Sequence, residues 1–131
     1  MTRSRVACPA MLAAVLLLWS TATPAVAAEA PAAVEADMKA MLAAIQANAL
    51  DAFVARGDAA FKSGMTRQLL EAVSGQLAAR LKQGYNATFL GQLNQQGYTV
   101  YLWKLSFDDK KDDYLVKMAV KDGRVGGFWV Q

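Results

Sequence analysis

The hydrophobic period of this chain changes at Gly84, and that change restricts its fold more than any other feature. Before Gly84 apolar residues recur every three or four positions; beyond it they alternate with polar ones. The first spacing lines one face of a helix and the second lines one face of a strand. Helices followed by strands, with no return to helices, cannot build repeated β–α–β units. An antiparallel α+β fold is therefore predicted.

In the helical half, Val34, Met38, Met41, Leu42 and Ile45 share a face. Asn48 followed by Asp51 resembles an N-cap with an acid at the third helical position, which predicts a short second helix. Leu50, Phe53 and Val54 form its buried side, and Gly57 loosens or ends it. Asp58 to Lys62 carries a further turn with Phe61 inward. Thr66 is a good N-cap for a third helix, and Met65 before it can staple onto Leu70. Leu69, Leu70, Val73, Leu77 and Leu81 keep helical spacing until Gly84 supplies the stop.

Past Gly84, Tyr85, Phe89 and Leu93 alternate with Asn86, Thr88 and Gln92. Asn94 to Gly97 is a turn, Tyr98 to Phe107 a strand, Asp108 to Asp113 a charged connection and Tyr114 to Lys121 a third strand. Asp122-Gly123 is the strongest hairpin signal, because a type I′ turn needs positive φ at both central residues. Arg124 to Val130 completes the set. The predicted fold is three N-terminal helices packed on a curled four-stranded antiparallel meander.

Centring the hairpins symmetrically sets Val120 opposite Val125, Met118 opposite Gly127 and Val116 opposite Trp129. It also sets Tyr101 opposite Val120, Trp103 opposite Met118, Leu105 opposite Val116 and Phe107 opposite Tyr114. Tyr101, Trp103, Leu105, Val116, Met118, Val120 and Trp129 then share the face covered by helices. Gly126 and Gly127 suggest a bend or bulge. A one-residue slip in the first hairpin would turn Phe89 outward. The opposite face would carry Val100, Leu102, Lys104, Leu115, Lys117, Ala119, Phe128 and Val130, with Lys104 directly opposite Lys117. That face is either exposed, lysine stems covering apolar neighbours, or a surface for a second copy or a partner.

The start of the chain is read separately. Arg3 and Arg5, the apolar run Met11 to Trp19, Pro24 and the small residues Ala25 to Ala28 follow the order of a secretory signal peptide, cleaved after Ala27 or Ala28. An uncleaved anchor would need about 18–20 unbroken apolar residues. The expected organisation is a signal peptide at 1–28, a flexible leader at 29–33 and a single domain at 34–131. The product is expected in the periplasm or outside the cell, with no stable membrane insertion.

Export alters the charge argument. The chain has 14 Lys and Arg against 11 Asp and Glu, and the signal removes Arg3 and Arg5. The remaining balance, without a basic cluster interleaved with aromatics, does not point to nucleic acid. Cys8 goes too, and it precedes the apolar run where a lipid-bearing cysteine would follow it. A product without cysteine or histidine has no thiolate nucleophile, no histidine base and no zinc site of ordinary ligand type. Gly-x-Ser-x-Gly, Ser-x-x-Lys, phosphate-loop and dinucleotide motifs are absent from the sequence. No catalytic residue, metal or cofactor is assigned. Asp108, Asp109, Asp112 and Asp113 form an acidic cluster, but Lys110 and Lys111 sit within it and the EF-hand spacing is missing, so a solvated hairpin tip is expected.

The element order resembles the nuclear transport factor 2-like (cone-shaped α+β) superfamily, and within it a small exported bacterial family of unknown function. The resembling stretches are Ala44 to Phe53, Gln95 to Val100 and Lys121 to Phe128. The resemblance implies a pocket between helices and concave sheet, with Tyr101, Trp103, Met118 and Trp129 as lining candidates; plain core packing is the competing reading. Some members resemble ketosteroid isomerase, which pairs an acidic base with Tyr or acid donors. The leading expectation is a non-catalytic binding or interaction module acting through Lys104, Lys117 and Phe128 on the outer face, as a homodimer or with an exported protein. The alternative is a small-molecule pocket protein for an apolar ligand, with proton transfer by a carboxylate and Tyr.

Overall fold

Capping and turn chemistry divide the chain into four helices followed by four strands in residues 28–131, the part described from a computed structural model. The signal-peptide expectation falls on residues outside these, apart from Ala28. Helix α1 spans Ala32–Ala47, α2 Leu50–Val54, α3 Ala59–Gly64 and α4 Arg67–Gln83. The third of these was foreseen only as an extra turn. It is capped by Asp58, whose carboxylate accepts from the Phe61 N–H at 2.8 Å, and Thr66 caps α4 by accepting from Leu69 at 3.2 Å.

Asn48 plays the opposite role to the one its sequence context suggests. It closes α1 in a left-handed conformation, φ 51°, and its N–H bonds back to the last turn; Ala49 precedes α2 without a side-chain cap. Asparagine tolerates positive φ, so the residue that could start one helix ends another. The expected leader is also partly structured: α1 begins at Ala32, and Ala30 is buried in the core.

The sheet is an antiparallel meander in the order β1-β2-β3-β4: β1 Tyr85–Gln95, β2 Tyr98–Phe107, β3 Tyr114–Lys121 and β4 Arg124–Val130. Its tight turns, Gln96-Gly97 and Asp122-Gly123, have positive φ at both residues, as type I′ geometry requires. Helix α1 lies along α4 and against α2, and its Met38, Met41, Leu42 and Ile45 join Leu70, Leu77 and Leu81 of α4 over the sheet's inner face. Tyr101, Trp103, Leu105, Val116, Met118 and Val125 are buried beneath them.

Two details of register correct the symmetrical pairing. Between β2 and β3 the strands slide by two residues, so Tyr101 faces Met118 and Trp103 faces Val116. An even slide preserves the faces, and the inward residues of both strands stay inward. Lys104 now faces Leu115 and Lys117 faces Leu102, which relieves the expected lysine–lysine clash. Between β3 and β4 the shift is odd. Val120 pairs with Val125 but Ala119 pairs with Gly127, leaving Gly126 as an extra residue. That bulge exchanges the faces of everything after it.

The edge of β4 is secured at its start. The Val125 N–H donates to the Arg56 carbonyl and the Val125 carbonyl accepts from Asp58, both at 2.9 Å. A second bulge in β1, at Leu90, keeps Phe89 inward against Trp103 and sends Leu93 to the outer face beside Val100. Leu93 thus departs from the single face expected for Tyr85, Phe89 and Leu93.

Candidate functional site: the outer face of the sheet

The exchange at Gly126 decides where the candidate residues lie. Phe128 turns inward, edge-on to Phe53 with ring centroids 5.8 Å apart, and belongs to the core margin instead of the outer face. Trp129 turns outward and is 48 % exposed. It therefore cannot line an inner pocket with Tyr101, Trp103 and Met118. Those three are brought together, but as packed core: Trp103 is 1 % exposed, and its ring meets Phe89 and Tyr101 at 5.7 and 6.1 Å. Its indole N–H is buried without a hydrogen-bond partner, a cost of about 1–3 kcal/mol that the surrounding packing must offset.

The helices leave only a small opening toward this core near β4. An apolar cleft of about 70 Å³ lies among Ile45, Phe53, Leu70 and Phe128, with no titratable group on its walls. A wider, open cleft of about 350 Å³ separates Glu29 and Glu35 from residues 86–89 of β1, with Trp103 at its floor. Glu35 is held there by Lys39 at 2.9 Å.

On the outer face, Trp129 pairs across the ladder with Lys117, whose ammonium lies 5.6 Å from the indole centroid. At the turn end, Lys121 sits 5.8 Å from the Tyr98 ring. The two glycines of the bulge seat these rings. A Cβ on Gly126 would strike the Tyr98 ring, and one on Gly127 would strike the six-membered ring of Trp129. Val100 and Ala119 are buried between them although they belong to the outer face. The result is a groove of about 230 Å³ with Tyr98 and Trp129 as walls, Val100 and Ala119 as floor, and Gln95 and Gln96 at one end.

Lys104, farther along the face, makes a long ion pair of 3.9 Å with Asp113, both half exposed. Neither Lys117 nor Lys121 has an ion pair among the described residues. Sequence reasoning named Lys117 and Trp129 but placed them on opposite faces. It missed Tyr98, Gln95 and Gln96, whose signal was their position around a two-residue hairpin turn next to the strand that Gly126 and Gly127 open.

The acidic connection between β2 and β3 is a structural anchor. Arg80 of α4 grips Asp109 with two hydrogen bonds of 2.7 and 3.1 Å, reaches the Asp112 carbonyl and stacks 3.9 Å over Phe107. The Arg80 guanidinium, helped by the Lys111 N–H, lowers the Asp109 carboxyl to about 2. The expected solvated tip is thus tied down on one side, and Asp109 is committed to Arg80.

No family model and no curated protein matches the chain. A solved structure that it matches is that of an uncharacterized cystatin-fold protein from Novosphingobium aromaticivorans, at 13 % identity and a TM-score of 0.37, covering 78 % of this chain and 99 % of that one. No functional property passes from that protein to this chain. The match is to a cystatin-fold protein and not to a nuclear transport factor 2-like one, so the resemblance to that superfamily is corrected.

Proposed function

We propose that the chain is an exported, non-catalytic binding module that recognises an acidic partner through the outer face of its sheet. The observation that carries this is the outward turn of Trp129 beside Lys117, produced by the bulge at Gly126. A half-exposed tryptophan is an anchor of the kind that dominates recognition surfaces. Lys104, Lys117 and Lys121 give the face one sign of charge. A two-fold pairing of identical faces would set lysine against lysine, so the charge favours an acidic partner over a second copy. Export is supported by the basic, apolar, small-residue order of residues 1–28.

The test is retention of residues 28–131 on immobilised acidic polymers, poly-glutamate and polygalacturonate. Wild type is expected to be retained at low salt by at least one of them, and Trp129→Asp and Lys117→Glu to elute earlier while still unfolding in one cooperative transition. Equal elution of all three proteins from both matrices would remove the proposal.

The cleft beside Glu35 favours a second reading, a small-molecule site with Trp103 at its floor. A thermal-shift screen with apolar ligands tests it. A shift abolished by Glu35→Gln supports this reading, and no shift with wild type ends it.

A further inference from the structure

The groove between Tyr98 and Trp129 has a chemistry more specific than a charged face. Its walls are two aromatic rings, its floor is Val100, Ala119 and Gly126, and its open end carries two primary amides. Lysine ammoniums stand at both rings, without carboxylate partners among the described residues. We propose that this groove binds an acidic saccharide, a pyranose ring bearing a carboxylate. The inference rests on the proposed binding face and names the ligand class for it.

Each part of such a ligand has a counterpart. The C–H face of a pyranose is apolar and flat enough to lie on an indole, and Trp129 lies back over Gly127 with much of its surface in solvent. Ring hydroxyls both donate and accept, and Gln95 and Gln96 offer amides that do the same. The carboxylate would meet Lys117 or Lys121, giving a charge-assisted contact. The volume, about 230 Å³, is below the range of roughly 300–1,000 Å³ typical of drug-sized pockets and suits one sugar ring with its neighbours outside. An acidic polypeptide would satisfy the lysines and its backbone would pair with the two amides, but a glutamate side chain offers no flat ring to lie on the aromatic walls. A nucleotide would stack as well, but no arginine lines the groove itself; Arg124 lies beyond it, opposite Lys121.

The glycines show that the groove is built into the fold. Both residues of the bulge must lack a side chain for Tyr98 and Trp129 to settle against the backbone. The same bulge that inverts β4 therefore creates the seat for the ring that it exposes.

The experiment is a titration of residues 28–131 with trigalacturonate and, in parallel, with a neutral trisaccharide and with triglutamate, followed by tryptophan fluorescence at low salt. Binding of trigalacturonate in preference to both is expected, with a change in Trp129 emission. Trp129→Ala is expected to weaken it about tenfold or more, Trp129→Tyr to retain most of it, and Lys117→Gln with Lys121→Gln to abolish the preference for the acidic sugar. Calorimetry on the same proteins reads binding when the reporter tryptophan is gone. Undiminished affinity in Trp129→Ala, or no trigalacturonate binding by wild type, would overturn the inference. Binding of triglutamate alone, lost in Lys117→Gln, would overturn it while leaving the binding face intact.

Discussion

At the scale of single residues, the two tryptophans of the described chain have opposite tasks. Trp103 is sealed in the core, and Trp103→Ala is expected to cost about 3–5 kcal/mol in urea unfolding. Trp129→Ala is expected to cost about 1 kcal/mol, because half of that side chain is already in water. Equal losses would mean that Trp129 is a core residue. The glycines beneath the rings are a finer probe. Gly127→Ala should dislodge the indole, seen as a changed near-ultraviolet circular dichroism spectrum with little loss of stability, whereas Gly123→Ala should leave that signal alone. Gly123 needs its glycine for backbone reasons, φ 73°, and has no neighbour that a methyl group would touch.

At the scale of elements, the Arg80–Asp109 contact ties α4 to the connection between β2 and β3, two pieces distant in sequence. Asp109 has a lowered pKa, so its contribution is complete above the ordinary carboxylate value of about 4 and is lost as the pH falls toward 2. Stability curves of wild type and Arg80→Met should converge across that interval; a constant gap would assign the contact no pH-dependent role. Much at this scale was legible in the sequence. The bounds of β2, β3 and β4 follow from alternation, and Asp122-Gly123 identifies its own turn. Thr66 announces α4 as its N-cap, whereas Asp58 opens a stretch that reads only as a further turn and forms the short helix α3. The faces of Phe128 and Trp129 were not legible. Gly126 and Gly127 advertise a bulge, but which strand takes up the extra residue depends on the ladder with β3 and on the bonds from Arg56 and Asp58 to Val125. Likewise Asn48 suits both a helix start and a helix end, and packing of α1 against α2 decides between them.

At the scale of the whole molecule, one core joins the helices to the inner face of the sheet. Residues 28–131 contain no cysteine, so nothing covalent supports that core. Unfolding of this segment is expected as a single transition in urea, with a slope in the range of about 1–3 kcal/mol per molar and a midpoint indifferent to reducing agent. A separate early transition of the helices, detected by far-ultraviolet signal against tryptophan fluorescence, would contradict one shared core. The bulge at Gly126 has a consequence at this scale as well. Because side chains in a strand have only two directions, the chain in effect counts residues by parity between the Asp122-Gly123 turn and its end. Deleting Gly126 would only make the ladder regular, with Phe128 still opposite Met118 and Trp129 still opposite Lys117. Keeping Gly126 and flattening the bulge would instead deliver an indole to the space filled by a phenyl ring and strand that phenyl in solvent. The distinction between what this protein hides and what it shows thus rests on one residue that the neighbouring strand leaves unpaired.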